Sequence, residues 1–585
     1  MKKILLPILL LASTFTFAQE QNAFPWRGCM IDVSRHFFPM SFLYKQVDVL
    51  SELGINRLHL HLTDAAGWRM EIKAYPELTK RTAWRTESDW DKWWVGEDRR
   101  YCAADAPGAY GGYYTQDELR ALVKYAEGKG IVVVPEIEMP GHSEELISYA
   151  PRLNCRPRHR QAEADGRGPV ADVVEPLPNR GDVCPANEEV YSFFETVLRE
   201  VMDVFPSEYI HIGGDEANKD NWNRCGSCEE LKRKLGTEDK EALQAYLVRR
   251  MTKWLNAQGR KVIAWDEVVE GLKNKQVGIR IAPDSLAIML WRNPATAKEA
   301  IALGHDVIMA PSGYCYLDYY QDAPQKEPRA IGGFLPLRRV YAFNPYEDMT
   351  PEEQSHVMGV QGNLWTEYIE TPEHAEYMLY PRICAIAEIG KHGADRPAWE
   401  VFRKNTLKTL KRLRKRGIHL FDLAHESGPR AESLKPVSHK ALGARVTYYK
   451  PYSPHYVAAG EGTLTDGLRG DFSHGDGRWQ GFVTGRCVDF QIDLGRVQDI
   501  REIYMDFMQN SGAWIYLPKV FMLSASEDGE NFEYLMGREE SKRTNVGTEF
   551  ERYAWKGNTR ARYLRVEAES TGEGEWIFTD EVVVN

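Results

Sequence analysis

The chain has 585 residues, more than one compact core normally holds, so the sequence predicts two domains. Hydrophobic residues make up 43% of the chain and charged residues 27%, which is typical of a soluble globular protein. The formal net charge is -11, with 74 lysines and arginines against 85 aspartates and glutamates. This balance argues against nucleic acid or an anionic membrane surface as the main partner.

Residues 1–18 have the composition of a secretory signal peptide. Two lysines precede an apolar stretch from Ile4 to Leu11, and small residues lead to a cleavage point after Ala18. The apolar stretch is too short to cross a bilayer. We therefore expect export across the inner membrane, to the periplasm or the cell surface, and no membrane span.

Eight short apolar segments, several separated by helical patterns, indicate parallel strands covered by helices. Eight such units predict a (β/α)8 TIM barrel over residues 24–420. The predicted strands are Cys29–Ser34, Arg57–Thr63, Ile131–Ile137, Tyr209–Gly213, Lys261–Trp265, Ala287–Trp291, Asp306–Ala310 and Gly359–Leu364. The predicted helices between them are Phe42–Leu53, Gln116–Gly128, Glu188–Val204 and Glu241–Gln258.

Acids, one arginine and several indole rings follow these strands. The C-terminal strand ends of such a barrel converge on one mouth, where active sites form. A mouth of this composition suits a neutral, hydroxylated, partly apolar ligand such as a sugar. The residues at the strand ends are Asp32, Arg35, Asp64, Glu136, Glu138, His142, Asp215, Glu216, Trp265, Asp266, Glu267, Trp291, Tyr316, Asp318, Trp365 and Glu367.

The sequence changes character after the helical segment Trp399–Arg416. Residues 421–446, which contain Gly428-Pro429, are typical of a linker. From residue 447 to residue 585, short alternating segments separated by turns predict an all-β antiparallel sandwich. These segments are Val488–Asp493, Ile500–Met508, Val520–Ala525 and Tyr563–Glu569.

The sequence has nine cysteines. Cys225 and Cys228 form a C-x-x-C motif without a second ligand pair near it, which favours a local disulfide or two unpaired thiols over zinc. Cys155 and Cys184 bracket one loop and could pair in an oxidising compartment. The sequence predicts no metal site and no cofactor.

Asp215 and Glu216 are the candidate catalytic residues. Glycoside hydrolysis needs an acid to protonate the leaving oxygen and a group that stabilises positive charge at the anomeric carbon. Adjacent carboxylates can push their pKa values apart, leaving one protonated near neutral pH. Gly213 and Gly214 let the backbone leave the strand, so that both acids can face one pocket. The alternative for this segment is a glycine turn followed by helix-capping acids.

Across residues 24 to 420 the chain resembles the family 20 glycoside hydrolases, the β-N-acetylhexosaminidases. The family's motifs occur in its order: Asp32-Val-Ser-Arg35-His36, His59-Leu-His-Leu-Thr-Asp64 with Gly67-Trp68-Arg69, Pro135–His142, His211–Glu216, Trp265-Asp-Glu267, Tyr316-Leu-Asp318 and Gln361–Glu367. In two places the sequence departs from the family pattern. Glu138 stands where an aspartate is more common, and Ala65-Ala66 where a more polar pair is common.

The resemblance implies a retaining mechanism in which the substrate's own 2-acetamido oxygen attacks the anomeric carbon. Glu216 is then the acid that protonates the leaving oxygen and the base that later activates water. Asp215 orients the acetamide N–H, and Tyr316 donates a hydrogen bond to the acetamide oxygen. Asp64 and His142 support the catalytic pair.

The resemblance also implies how a sugar is held. Three tryptophans enclose the acetamide methyl group and the apolar face of the sugar: Trp265, Trp291 and Trp365. Arg35 binds the outer hydroxyl groups, aided by Glu367 and Asp318, and the closed pocket limits cleavage to one terminal residue at a time. His211, inside a strand, is expected to lie behind the catalytic pair.

The C-terminal region resembles discoidin-like (coagulation-factor C-type) domains. The matching segments are Val488–Gly495, Leu517–Lys519, Ser524–Gly529 and Ala561–Val566, and Leu464–Gly467 resembles a loop that binds structural calcium in some of them. A carbohydrate-binding role and a purely structural role both stay open for this domain.

The function implied is an exo-β-N-acetylhexosaminidase that removes terminal β-linked GlcNAc or GalNAc from glycans. One alternative is a specialist for a disaccharide or a sulfated end group. Another is a catalytically idle glycan-binding protein, which the presence of Asp215, Glu216 and Tyr316 disfavours. A metal-dependent deacetylase is disfavoured because no histidine and aspartate cluster accompanies Cys225 and Cys228. The oligomeric state, including a homodimer, stays open.

Overall fold

The computed structural model describes residues 23–94, 96, 99–155, 181–273, 280–483, 488–540, 547–570, 572 and 574–585. The predicted signal peptide lies outside the described residues. The chain divides into two compact units. The barrel unit contains residues up to Leu317 together with Leu337–Phe421, and the C-terminal unit contains Asp318–Pro336 together with Asp422–Asn585. In the described ranges, no helix has both the length and the apolar character needed to cross a membrane.

The barrel unit is built on eight parallel strands that close into a barrel, each paired with its neighbours in sequence order. This confirms the predicted fold class. The strands are β1 (Trp26–Asp32), β2 (Arg57–His61), β3 (Val132–Glu136), β4 (Tyr209–His211), β5 (Lys261–Trp265), β6 (Leu286–Leu290), β7 (Val307–Met309) and β8 (Val357–Leu364). Two short hairpins also occur, Thr63–Asp64 with Gly67–Trp68 and Trp84–Arg85 with Tyr110–Gly111.

Helices surround the strands. The helix Gln116–Glu127 illustrates why they form: Thr115 and Glu118 make a reciprocal capping box, and Leu119, Leu122, Val123 and Ala126 are buried at helical spacing. The described helices of this unit are Met40–Leu53, Pro76–Thr82, Trp90–Trp94, Gln116–Glu127, Glu144–Tyr149, Glu188–Val204, Asp220–Arg224, Gly226–Leu235, Glu241–Ala257, Val268–Leu272, Thr296–Ala302, Ser312–Cys315, Leu337–Ala342, Pro351–Gln354, Pro372–Leu379, Arg382–His392 and Trp399–Lys415, with 3-10 turns at Pro151–Leu153 and Pro283–Ser285.

The C-terminal unit is an antiparallel sheet of eight described strands, which confirms the all-β prediction. They are β9 (Arg445–Lys450), β10 (Gln480–Val483), β11 (Val488–Gln509), β12 (Val520–Ser526), β13 (Glu533–Glu539), β14 (Glu549–Glu569), β15 (Trp576–Thr579) and β16 (Val583–Val584). The unit also has 3-10 turns at Pro324–Lys326, Leu423–His425, Ala431–Leu434, Gly460–Thr465 and Ser511–Ala513.

Two predicted strands of this unit, Val488–Asp493 and Ile500–Met508, form parts of the single 22-residue strand β11. The register of its pairing with β14 shifts between Asp493 and Gln498, where the sequence alternation breaks. A strand can continue through such an irregularity, so the polar residues there did not mark a strand end.

Candidate active site

The catalytic candidates lie directly after β4. The backbone turns out of the strand at Gly213 (φ 69°) and Gly214 (φ 102°), as the glycine pair predicts. A Cβ on Gly213 would collide with the Glu138 carboxylate, and the positive φ also disfavours other residues there. After the turn, the Asp215 side chain is 13% exposed and the Glu216 side chain is 47% exposed. Glu216 is therefore open to solvent, whereas Asp215 is mostly buried.

His142 lies between Asp215 and Glu216. Its Nε2 lies 3.7 Å from Asp215 Oδ2 and 3.7 Å from Glu216 Oε2, so these two carboxylate oxygens are within 7.4 Å of each other, twice that distance. Its Nδ1 lies 3.3 Å from Asp64 Oδ1. Burial alone would lower the pKa of His142, but the Asp64 and Asp215 carboxylates raise it well above its usual value. His142 is therefore a cation between acidic side chains.

Arg35 is fixed by three carboxylates. Its guanidinium lies 3.2 Å from Asp32 Oδ2, 2.8 Å from Asp64 Oδ2 and 3.7 Å from Glu367 Oε1. Burial alone would raise the pKa of Asp64, but Arg35 and His142 hold it well below its usual range. Arg35 is thus oriented by the protein itself, with little side-chain freedom left to lose when a ligand binds.

Glu138 is a close neighbour of Asp215. Burial and the neighbouring Asp215 and Glu136 carboxylates raise the pKa of Glu138 well above its usual range. One oxygen of Glu138 accepts a hydrogen bond from the Gly214 N–H at 3.1 Å. Glu138 and Asp215 share a hydrogen bond, which acts against the increase that burial causes in the pKa of Asp215. Burial and the neighbouring carboxylates therefore favour the protonated form of Glu138, which can donate a hydrogen bond to the Asp215 carboxylate.

Three histidines and one tryptophan surround the buried Glu136. His59 Nε2 lies 3.1 Å and His211 Nδ1 2.8 Å from Glu136, and His61 Nδ1 also hydrogen bonds to it. Trp265 Nε1 donates a hydrogen bond to Glu136 Oε1 at 2.8 Å. Burial alone would raise the pKa of Glu136, but the three histidines hold it well below its usual range. His211 is fully buried.

Aromatic rings line one side of the site. The ring of Trp365 lies 5.9 Å from Trp265, 6.1 Å from Tyr316 and 5.0 Å from the Arg35 guanidinium carbon, while Trp291 stacks on Tyr316 at 6.3 Å. The indole N–H groups of Trp291 and Trp365 are buried and have no acceptor among the residues that the structure describes. Such a wall offers flat apolar faces and two N–H donors to a sugar ring.

Glu267 holds the backbone of Glu216. The Glu216 N–H donates to Glu267 Oε2 at 2.9 Å, and Glu216 itself has φ 43°. Burial and the Asp215 charge raise the pKa of Glu267 to about 7. The unusual backbone conformation of Glu216 is therefore supported by a hydrogen bond from the next strand end.

The barrel unit brings most of the predicted site residues together. Those connected by the contacts above are Arg35, Asp64, His142, Asp215, Glu216, Trp265, Trp291, Tyr316, Trp365 and Glu367. Asp318 is buried but belongs to the C-terminal unit, so its predicted place beside Arg35 stays a prediction.

Sequence reasoning gave no site role to three acids that support the pair, namely Glu136, Glu138 and Glu267. A signal for two of them was present. In an extended strand, residues two apart point to the same face, so Glu136 and Glu138 were placed to enter the barrel mouth together. Nothing in the sequence indicated that Glu138 would keep its proton, because that depends on its distance from Asp215.

A further acid near the site, Glu144, predicts how stability depends on pH. Burial raises the pKa of Glu144 to about 7, and the His142 cation opposes the shift. A carboxyl with a raised pKa favours folding below about pH 4.5, and this contribution is lost as pH rises through about 7. Glu144→Gln should therefore gain stability relative to the wild type by up to about 3 kcal/mol between pH 4.5 and pH 7.5.

Thermal unfolding at a series of pH values measures this difference. The control is Glu127→Gln, which changes an exposed carboxylate at the end of its helix and should shift Tm equally at every pH. A constant Tm difference between Glu144→Gln and the wild type across this range would contradict the assignment.

Comparison with known proteins identifies the family. The catalytic-domain model of glycosyl hydrolase family 20 matches residues 24–393, well over half of the chain, so the chain belongs to this family. The model of the F5/8 type C domain matches residues 452–582. Both matches agree with the two resemblances seen in the sequence.

The relatives are hexosaminidases. The chain is 39% identical over 373 residues to a beta-hexosaminidase of Porphyromonas gingivalis, covering 63% of this chain and 43% of that protein. It is 32% identical over 392 residues to one from Akkermansia muciniphila, covering 66% and 72%. A solved exo β-N-acetylglucosaminidase of Vibrio harveyi, in complex with N-acetylglucosamine, superposes with a TM-score of 0.56 at 29% identity, covering 68% of this chain and 59% of that one. The chain therefore spans less than two thirds of the Porphyromonas and Vibrio proteins.

Proposed function

We propose that the protein is an exo-β-N-acetylhexosaminidase that removes terminal, non-reducing β-linked GlcNAc or GalNAc with retention of configuration. The observation that carries this proposal is the position of Asp215 and Glu216. Each has a carboxylate oxygen 3.7 Å from the same His142 nitrogen, in the segment that follows β4.

The first step forms a ring within the substrate. The 2-acetamido oxygen bonds to the anomeric carbon while the bond from that carbon to the leaving oxygen breaks. Glu216 gives its proton to the leaving oxygen, and an oxazolinium ion remains. The Asp215 carboxylate accepts a hydrogen bond from the acetamide N–H and stabilises the positive charge that develops on the acetamide. In the second step Glu216 takes a proton from water, which attacks the anomeric carbon and reopens the ring.

The protonated Glu138 sets the direction of the Asp215 carboxylate. Because Glu138 donates to one oxygen of Asp215, the other is available for the acetamide N–H. Tyr316, in the aromatic wall beside Trp365, is proposed to donate to the acetamide oxygen and hold it near the anomeric carbon.

Recognition of a single terminal sugar is proposed to rest on Arg35 and the aromatic wall. Arg35 and Glu367 meet the outer hydroxyl groups, and we propose the same role for Asp318. The tryptophan wall covers the apolar face of the sugar and the acetamide methyl group. We propose that the fixed Arg35 guanidinium closes the end of the pocket, so that the enzyme removes one terminal sugar at a time.

Chromogenic β-glycosides test the substrate class. We expect release of the chromophore from the β-GlcNAc and β-GalNAc substrates, and none from the β-glucoside, without metal added to the assay. The reason is that the glucoside has no acetamide to act as nucleophile. Equal rates on the glucoside would contradict the proposal, and binding without any release would favour a glycan-binding protein.

We also propose that the chain is exported, with residues 1–18 removed as a signal peptide, and acts in the periplasm or at the cell surface. The charge pattern of the N-terminus supports this. Sequencing the mature N-terminus tests it, and light scattering of the same preparation distinguishes a monomer from a homodimer.

A further inference from the structure

Four buried cysteines from two separate parts of the barrel unit converge on one point. We call them the cysteine cluster: Cys155, Cys184, Cys225 and Cys228. Their four sulfur atoms all lie within 4.8 Å of one another. Cys228 Sγ lies 3.6 Å from both Cys155 Sγ and Cys184 Sγ, and Cys184 Sγ lies 3.9 Å from Cys225 Sγ. We propose that the cysteine cluster binds one structural zinc ion through four thiolates.

The sulfur spacing fits a single tetrahedral ion. A zinc–sulfur distance of about 2.3 Å in a regular tetrahedron places the sulfur atoms about 3.8 Å apart. Cys184 and Cys228 each approach two other sulfur atoms. Two disulfides would give every sulfur one close partner, whereas a central ion draws all four together. An iron–sulfur cluster would hold the thiolates farther apart, because its own iron and sulfide ions separate them.

One ligand pair comes from a helix N-terminus. Cys225 is the residue that caps the helix Gly226–Leu235, and Cys228 lies in its first turn. The C-x-x-C spacing places both sulfur atoms on the same side of this turn, as in many zinc sites. The positive end of the helix dipole stabilises the thiolate form that a metal requires.

The other ligand pair is held by backbone pairing. Asn154 and Val183 form an antiparallel bridge, and the Cys184 N–H donates to the Leu153 carbonyl at 2.8 Å. This pairing places Cys155 and Cys184 side by side, although they are far apart in sequence. The second pair that the sequence did not supply near Cys225 and Cys228 is thus provided by the fold.

The surroundings are apolar. The cysteines pack with the buried residues Ala217, Trp222 and Leu243. The sulfur contacts described above join these cysteines to one another. A thiolate-bound metal would satisfy all four at once.

The proposed ion lies beside the catalytic segment. It would link the connection after β3, which carries His142, to the connection after β4, which carries Asp215 and Glu216. The two connections are already joined, because Asp182 accepts hydrogen bonds from the Asn218 N–H (3.0 Å) and the Lys219 N–H (3.2 Å). Ala217, next to Glu216, packs in the cysteine cluster's apolar surroundings. The zinc ion would therefore position the catalytic acids without touching substrate.

Metal and thiol analysis of the purified full-length protein tests the proposal. We expect about one zinc per chain by elemental mass spectrometry, and four thiols that react with a thiol reagent only after zinc is released. Cobalt substituted for zinc should give the visible absorption of a tetrahedral thiolate complex. The wild type provides these results directly, so the test does not depend on whether a variant folds.

Variants separate the metal site from catalysis. Cys228→Ser should lose most of the zinc, lower Tm and reduce kcat more than it raises KM. Cys384→Ala, at a buried cysteine outside the cluster, should keep a full equivalent of zinc. Glu216→Gln should also keep it, so failure of the proposed function and failure of the metal site are distinguishable. Wild-type protein that contains no zinc after growth with added zinc, whether its four cysteines form disulfides or stay as reactive thiols, would overturn the proposal.

Discussion

Glu216→Gln should lower kcat for β-GlcNAc substrates by about 10²–10⁴-fold, the range of a lost general acid and base. The glutamine keeps the size of the side chain but has no acidic proton for the leaving oxygen. The loss should be smaller for a dinitrophenyl glycoside than for an oligosaccharide, because the dinitrophenolate departs with little protonation. Steady-state rates on a series of leaving groups measure this dependence.

The control for this change is Glu127→Gln, which alters an exposed carboxylate on the surface of the barrel unit and should leave the rates unchanged. Equal losses for good and poor leaving groups would place the defect of Glu216→Gln outside proton transfer to the leaving oxygen. An unchanged kcat would remove Glu216 from the mechanism.

Asp215→Asn should lower kcat by about 10²–10³-fold, similar to the loss of one preorganised stabilising group. The physical reason lies in Glu138. The protonated Glu138 donates to one side of residue 215, so an asparagine turns its oxygen towards Glu138 and its NH₂ group towards the substrate. The asparagine NH₂ group and the acetamide N–H are then two hydrogen-bond donors that face each other without an acceptor. A thiazoline that mimics the cyclised intermediate should bind more weakly to the variant by a similar factor.

The matched control is Asp220→Asn, the same chemical change at an exposed position five residues later. It should keep wild-type rates and wild-type inhibition by the thiazoline. If Asp215→Asn behaves like Asp220→Asn, the nucleophile does not come from the substrate. If the thiazoline affinity is kept while kcat falls, Asp215 acts in a step other than ring formation.

The sequence predicted the parts of this fold that depend on local patterns. All eight barrel strands are present, and each overlaps its predicted segment. The strand Tyr209–His211 ends two residues earlier than predicted, because Gly213 adopts a positive φ and the chain turns there. The position of the site also followed from the sequence, since polar residues after parallel strands meet at one edge of a barrel.

The features that the sequence missed depend on contacts between distant segments. The cysteine cluster joins residues that are up to 73 positions apart, so a C-x-x-C motif taken alone gave the wrong expectation about nearby partners. The protonation of Glu138 depends on burial and on an acid 77 positions away, which no spacing rule predicts. The contacts between Glu136 and the barrel histidines could not be predicted either, because histidines in a strand pattern are compatible with an ordinary core.

The path of the chain limits how this protein can be divided. The barrel unit is interrupted after Leu317 by the segment Asp318–Pro336, which belongs to the C-terminal unit. In that unit the ring of Phe334 lies 5.2 Å from the ring of Phe472, and the Gln325 side chain donates a hydrogen bond to the Thr548 carbonyl. A truncation after Phe421 would strip this segment of those neighbours and expose its aromatic rings to water. The C-terminal unit is therefore not a detachable appendage, and a shortened enzyme would need the segment 318–336 redesigned as well.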